Sequence, residues 1–199
     1  FFASAGASVE SKTADGAVPL HIASQHGHAA LVRYLIEEQR SDPNVTNDGG
    51  VTPLILACET GHTTVLLQLV EAGAYVNFAD NEGITPLLAA CHFGHPEAVY
   101  ALLTAGAQYE PVNVNARSVD GLQPLFSAAQ RGSTEIVKLL LSAGARHDST
   151  YGEGDQEFTA AEAAQYNSHA ALAEMLTDGS LLTGGSLLEQ LAGMGDGDS

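Results

Sequence analysis

Apolar and polar positions along the chain follow a pattern that recurs about every 34 residues. Four copies have a short apolar block after a proline, then a glycine, then a longer apolar block. The longer block ends at a second glycine in three of them, whereas the first copy has Glu38-Gln39-Arg40 there and is expected to end this block irregularly. In the longer block of the fourth copy the apolar residues are spaced i, i+1, i+4 and i+5, which is one face of a helix: Ile136, Val137, Leu140 and Leu141. The pattern therefore predicts two short helices in each copy.

Prolines mark the register of the copies. Pro19, Pro53, Pro86 and Pro124 stand 34, 33 and 38 residues apart. Each has a Gly three residues before it, a Leu one after, an Ala four after and a Gly eight after. A fifth, degenerate copy is anchored at Ala160, with Ser168 in place of the Gly. The chain is therefore an internal repeat of five copies.

The residues of one copy predict where its helices begin and end. Thr85 is suited to the N-cap of the first helix, and Pro86 to its first position, where a missing N–H costs nothing. Gly94 ends this helix, and Pro96 suits the first turn of the second. The segment that follows a second helix, such as residues 75–83, indicates a hairpin-like turn. One copy cannot bury its own apolar face, so the copies are predicted to stack into a solenoid.

This pattern resembles the ankyrin repeat over about residues 5–177, because the T-P-L, G-H and A-G-A motifs recur in register. Examples are Thr52-Pro53-Leu54, Gly61-His62 and Ala72-Gly73-Ala74. The resemblance implies an all-α solenoid of stacked antiparallel helix pairs with projecting β-hairpin-like loops. It also implies a scaffold that binds other proteins through its hairpin tips and through the concave face, the exposed side of the first helices.

The repeats divide the chain into three parts. Residues 14–177 are predicted to form the array, with anchors near residues 19, 53, 86, 124 and 160. Residues 1–13 match the end of a preceding, truncated repeat, in which Phe2 takes the core position of Leu69. We therefore expect further repeats before residue 1 or another chain covering that end. Residues 178–199 form a Gly/Leu-rich acidic tail, for which docking on a partner and docking on the last helix both stay open.

The charge balance restricts the partners. The chain has 7 Lys+Arg against 24 Asp+Glu, a net charge of −17, which disfavours nucleic acid and anionic membranes and favours a partner with a basic face. After Arg146 there are ten acidic residues and no Lys or Arg, which fits either a solvated tail or an acidic docking surface. No apolar run reaches the roughly 18 residues of a membrane span. With two cysteines and no signal peptide, we expect a reducing compartment, cytoplasm or nucleus.

Three residues first suggest a metal site. Cys91, His92 and His95 lie within five residues and are zinc-ligand types. The register assigns His95 to the G-H motif and Cys91 to the packing position of Cys58, so only His92 lies outside the repeat pattern. We therefore expect neither a metal nor a cofactor. Neither His21 nor His26 has a Ser or Cys nucleophile fixed near it, and we expect no enzyme activity.

The candidate partner-binding residues occupy two repeat positions and one loop. Two residues before each anchor stands an apolar residue, and six and seven residues after it stand side chains of the concave face. Extra residues enter the hairpin region at 149–157, beside Tyr151, and loop insertions often mark a binding face. The candidates are Val51, Ile84, Leu122, Phe158, His92, Phe93, Gln130, Arg131, Tyr151 and Tyr166. An alternative is that neighbouring hairpins simply cover the apolar residues.

Two other functions stay open at this point. The chain could be a structural subunit held permanently in a larger assembly, or the non-catalytic part of a longer enzyme. A large apolar interface would favour the subunit, and a polar groove with a separable partner would favour the adaptor or scaffold.

Overall fold

A computed structural model describes residues 11–105, 109–148, 150–153 and 156–177, with the backbone alone for residues 153 and 156. The chain divides into two compact units, Phe1–Val112 and Asn113–Ser199, which are described separately below. Phe1, Phe2 and most of the predicted remnant of a preceding repeat lie outside the described residues, as does the tail from residue 178.

The first unit consists of paired helices. Their bounds are α1 Pro19–Gln25, α2 Ala29–Glu37, α3 Pro53–Glu59, α4 Thr63–Glu71, α5 Pro86–Phe93 and α6 Pro96–Ala105. The first helices of successive copies pack on each other, α1 on α3 and α3 on α5. The second helices do the same, α2 on α4 and α4 on α6. The predicted all-α fold of stacked helix pairs is confirmed in this unit.

The second unit continues the pattern and adds two strands. Its elements are α7 Pro124–Arg131, α8 Thr134–Ser142, β1 Thr150–Glu153, β2 Gln156–Thr159, α9 Ala160–Tyr166 and α10 Ala170–Thr177. Helix α7 packs on α8 and α9, while α9 also packs on α10 and β2. Helix α9 begins at Ala160, the residue at which the sequence anchors the fifth copy.

Helix starts follow from the capping residues. The hydroxyl of Thr85 accepts a hydrogen bond from the amide of Leu88 at 3.2 Å, and Pro86 fills the first helical position. At α9 the cap is reciprocal, because Thr159 Oγ1 accepts from the Glu162 amide at 3.2 Å while Glu162 Oε2 accepts from the Thr159 amide at 2.7 Å. These contacts satisfy amides at the helix N-terminus that have no partner within the helix.

The first copy ends its second helix differently from the others, as its sequence predicts. The amide of Ala74 reaches back to the carbonyl of Leu69 at 2.9 Å, whereas the amide of Ser41 reaches Leu35 at 3.0 Å, one residue farther. Arg40, with φ of 57°, takes the left-handed conformation that a glycine has in other copies. The chain therefore turns one residue later in this copy.

The G-H motif joins neighbouring copies. His95 Nε2 lies 3.0 Å from the carbonyl oxygen of Glu59 in the preceding copy. Gly61, with φ of +72°, lets the ring approach so closely that a Cβ there would lie 2.6 Å from His95 Nδ1. The predicted structural role of His95 is confirmed. The close approach of its ring explains why this position of the turn is a glycine.

Candidate functional site

The extra residues between α8 and α9 form an antiparallel hairpin. Its register pairs Tyr151 with Phe158 and Gly152 with Glu157. Directly opposite residues of an antiparallel pair project to the same side of the ladder, so Tyr151 and Phe158 share one face of the hairpin. The hairpin thus places Tyr151, from the extra residues, beside Phe158, which stands two residues before the fifth anchor.

That face lies against the helices of the second unit. The ring of Tyr151 packs on the ring of Phe126 from α7, with centroids 4.8 Å apart and planes tilted by 52°. Aromatic pairs prefer such offset or tilted arrangements, which adds about 0.5–1.5 kcal/mol to the burial of their area. The contact fixes the hairpin relative to α7.

A groove with a volume of about 700 Å³ lies between the hairpin and helices α7 and α9. Four aromatic residues line it, Phe126, Tyr151, Phe158 and Tyr166. The polar lining residues are Asp120, Gln130 and Asn167. Cavities of roughly 300–1,000 Å³ with mostly apolar walls and a few polar groups are typical of ligand sites. We call this the aromatic groove.

The aromatic residues of the groove differ in exposure. Phe126 is 7% exposed, whereas Phe158 is 42% and Tyr166 82% exposed. Phe126 is therefore both part of the core and the wall of the groove. Tyr166, at the end of α9, contributes a ring that the fold itself leaves in water.

The aromatic groove brings together four of the ten predicted partner-binding residues: Gln130, Tyr151, Phe158 and Tyr166. Arg131 is exposed at the end of α7 but does not line the groove. Leu122 is half-buried in the hairpin before α7, where its carbonyl accepts from the amide of Ser118 at 3.0 Å.

The predicted residues of the first unit lie at two places. Val51 and Ile84 are half-buried at the ends of their hairpins. The Val51 carbonyl accepts hydrogen bonds from the Asn47 amide at 3.1 Å and from His21 Nε2 at 2.9 Å. At the end of α5, His92 meets Phe93 edge to face with ring centroids 5.1 Å apart, and Phe93 is 43% exposed.

The three residues first considered as metal ligands lie in different environments. Cys91 is fully buried in α5, His92 is exposed, and His95 bonds to Glu59. Both thiols are free, and burial raises the pKa of Cys58 and Cys91, which disfavours the thiolate that a metal or an electrophile needs. Within the described residues no three His, Cys, Asp or Glu side chains are gathered to hold a metal ion.

Five of the residues that line the groove are not among the candidates taken from the sequence: Asp120, Phe126, Gly152, Ala163 and Asn167. Phe126 stands two residues after Pro124 within an apolar block, where an aromatic residue is typical of core. Asp120 belongs to a hairpin tip, where acidic residues are common. In the sequence, the extra residues before Phe158 indicate a departure from the repeat at this connection. They do not indicate which helix residues the hairpin faces, because that depends on the strand register.

None of the helices in the described part of the chain is both long and apolar enough to span a bilayer.

A family model described as ankyrin repeats, three copies, matches residues 1–80, 20–113 and 68–151. Among curated proteins, the chain is 38% identical over 69 residues to 26S proteasome non-ATPase regulatory subunit 10 of Dictyostelium discoideum, covering 35% of this chain and 30% of that protein. It is 46% identical over 59 residues to alpha-latrotoxin-Lh1a of Latrodectus hasselti, covering 30% and 4%.

A human relative, ankyrin repeat and SAM domain-containing protein 3, is 36% identical over 72 residues, covering 36% of this chain and 11% of the relative. The matched region thus spans less than a third of the length of each of these relatives.

Proposed function

The chain belongs to the ankyrin-repeat family, whose repeats are generally protein-interaction modules, and from this premise we propose that it is an adaptor or scaffold. It binds a partner protein through the concave face and the hairpin loops. The observation that carries the proposal is the aromatic groove, where rings of Phe158 and Tyr166 stand exposed beside polar side chains.

The residue composition of the groove supports it as the partner-binding surface. Interface cores are enriched in Tyr, Trp and Phe and surrounded by a polar rim. The groove has this arrangement, with rings at its walls and Gln130 and Asn167 beside them. A hairpin that presents Tyr151 and Phe158 on one face adds to the surface without altering the repeat core.

The charge of the chain supports a partner with a basic face. Opposite charge accelerates the encounter of two proteins and selects against acidic competitors. With a net charge of −17, the chain attracts a basic protein over a range of about 8–10 Å at ordinary ionic strength. Cytoplasm or nucleus is the compartment we propose, because both thiols are free and buried.

One relative favours a second candidate function. Its name places that relative in the 26S proteasome as a non-ATPase regulatory subunit, so this chain could likewise be a permanent subunit of an assembly. A non-catalytic part of a longer enzyme is a further alternative. We favour the adaptor because the groove combines polar groups with open aromatic walls, which suits a partner that separates.

The experiment is quantitative affinity capture from extracts of the source organism, followed by measurement of the dissociation constant for the captured protein. We compare the wild-type chain with Phe158→Ala and Tyr166→Ala. Because removal of a true anchor costs about 2 kcal/mol or more, each variant is expected to weaken binding at least about thirtyfold. Glu174→Ala, an exposed position on α10, is the control and keeps full affinity.

Circular dichroism and thermal unfolding check that each variant is folded. If both aromatic variants are folded and bind the partner as tightly as the wild type, the proposed surface is wrong. If the captured protein can be released only by denaturing the complex, the permanent-subunit function replaces the adaptor.

A further inference from the structure

The aromatic groove combines ring faces with acceptors, and the described residues that line it include no lysine or arginine. The geometry points to an arginine side chain of the partner as its occupant, with the guanidinium against the rings and near Asp120. This inference rests on the proposed function, because it names the chemistry of the group that the groove recognises.

The rings provide the first reason. The face of an aromatic ring carries negative charge density and attracts a cation within about 6 Å of its centroid. Phe126 and Tyr151 lie 4.8 Å apart, and Phe158 is the cross-strand partner of Tyr151, so three rings are adjacent. A guanidinium is planar and weakly hydrated, and it stacks on such rings more readily than a lysine ammonium does.

The charge of the lining provides the second reason. Asp120 contributes a carboxylate, and among the described lining residues none is a lysine or an arginine. Arg131 is exposed at the end of α7, and Arg117 reaches Gly121, where its Nη1 would lie 4.0 Å from an added Cβ, but neither arginine lines the groove. Glu157 lies on the other face of the hairpin. Among the described residues that line the groove, the charged group is therefore the Asp120 carboxylate, which favours a cationic occupant.

The amide side chains provide the third reason. A guanidinium has five N–H donors and no acceptor, so it needs several oxygen atoms around it. Asn167 donates its Nδ2 to the carbonyl of Ala163 at 2.8 Å, which orients its amide and leaves Oδ1 as an acceptor. Gln130 and Asp120 line the same groove with further oxygen atoms.

The size of the groove indicates what accompanies the arginine. A volume of about 700 Å³ exceeds what one guanidinium fills and lies in the range of sites for drug-sized molecules. The occupant is therefore a short partner segment in which apolar residues beside the arginine contact the exposed rings of Phe158 and Tyr166.

The test is an NMR titration of the ¹⁵N-labelled chain with three small probes of the same backbone. These are the N-acetyl amides of arginine, lysine and citrulline, the last being an uncharged analogue with nearly the shape of arginine. We expect the arginine probe to produce saturable shifts at the backbone amides of residues 130, 151, 158 and 166. The apparent affinity for lysine is expected to be at least fivefold weaker, and citrulline is expected not to saturate.

Variants assign the binding to the groove. Tyr166→Ala and Asp120→Asn each weaken the arginine probe at least fivefold. The matched control is Tyr75→Ala, since Tyr75 is a 59% exposed tyrosine of the first unit, outside the groove, and its removal leaves the affinity unchanged.

Equal shifts with citrulline and arginine would overturn the inference, because recognition would then not depend on charge. Shifts spread over the acidic surface and unaffected by Tyr166→Ala would also overturn it. Either result leaves the proposed function intact, because affinity capture of the partner does not use these probes.

Discussion

Single side chains in this protein serve packing and recognition at once. Phe126 is almost fully buried, yet one side of its ring contacts Tyr151 and faces the aromatic groove. Tyr166, by contrast, is exposed to water over most of its surface. In the proposed function, the partner contacts one rigid ring that the core holds in place and a second, exposed ring that becomes buried on binding.

At the same scale, His21 is a buried titratable group with two fixed hydrogen bonds. Its Nδ1 accepts from the Val18 amide at 3.2 Å, and its Nε2 donates to the Val51 carbonyl at 2.9 Å. Burial lowers the pKa of His21 below its ordinary value of 6.5. The backbone of Val51, the Asp15 carboxylate and the backbone of Val45 partly oppose this lowering, and Lys12 adds to it. A second proton would also remove the acceptor that the Val18 amide needs.

Protonation of His21 should lower the free energy of unfolding in acid. A histidine whose pKa is lowered by folding contributes its full stability above the unfolded pKa and loses it as pH falls below that value. Between pH 6.5 and 5.5 the wild type should lose at most about 1.0 kcal/mol of unfolding free energy through this group, the bound that holds if the folded ring stays unprotonated. Urea unfolding of the wild type and His21→Gln at pH 7.5 and 5.5 measures the difference.

His21→Gln removes the titration, so its unfolding free energy should change less with pH than that of the wild type. His147→Gln, at an exposed position, is the control and should keep the wild-type dependence. An identical pH dependence in the wild type and His21→Gln would show that His21 titrates as it does in the unfolded chain.

At the scale of elements, neighbouring repeats are joined by close backbone approach as well as by apolar burial. A histidine ring lies over the glycine turn of the preceding copy at Gly61, and again at Gly132, where a Cβ would lie 2.5 Å from His169. The packing of one helix pair on the next therefore depends on a turn without a side chain.

Gly61→Ala tests this contact, and Gly73→Ala is its matched control. Both glycines have positive φ, +72° and +90°, but an added Cβ at Gly73 would meet nothing within 4 Å. Gly73→Ala should cost only the backbone strain, about 1–2 kcal/mol. Gly61→Ala should cost about 1–3 kcal/mol more, because it also displaces His95 from the Glu59 carbonyl.

Chemical denaturation measures both costs. A second control is Gly61→Ala combined with His95→Ala, in which removal of the ring should recover the part of the loss that is due to the clash. Equal costs for Gly61→Ala and Gly73→Ala would contradict the proposed role of His95.

The elements were largely predictable because the repeat shows each position five times. The anchors predicted where α3, α5, α7 and α9 begin, and the departure at residues 38–40 predicted the irregular end of α2. The aromatic groove was predictable only in part. The sequence identifies Tyr151 among the extra residues and Phe158 as the apolar residue two before the fifth anchor. Their pairing depends on strand register, and a hairpin that occurs once has no repeat to define it.

At the scale of the whole molecule, the net charge and the aromatic residues of the groove act over different distances. In the proposed function, the net charge of −17 acts at long range on a basic partner, whereas the rings and Asp120 act at contact on the group that binds. Salt should therefore slow association with the partner more than it speeds dissociation.

The most direct test of the central claim, that a partner binds the concave face and the hairpin, is hydrogen–deuterium exchange. The chain is measured alone and with the captured partner. We predict slower exchange in peptides that cover residues 122–131 and 156–167, and unchanged exchange in α8 and α10, which are second helices. Protection confined to α8 and α10, with unchanged exchange at residues 122–131 and 156–167, would contradict the account.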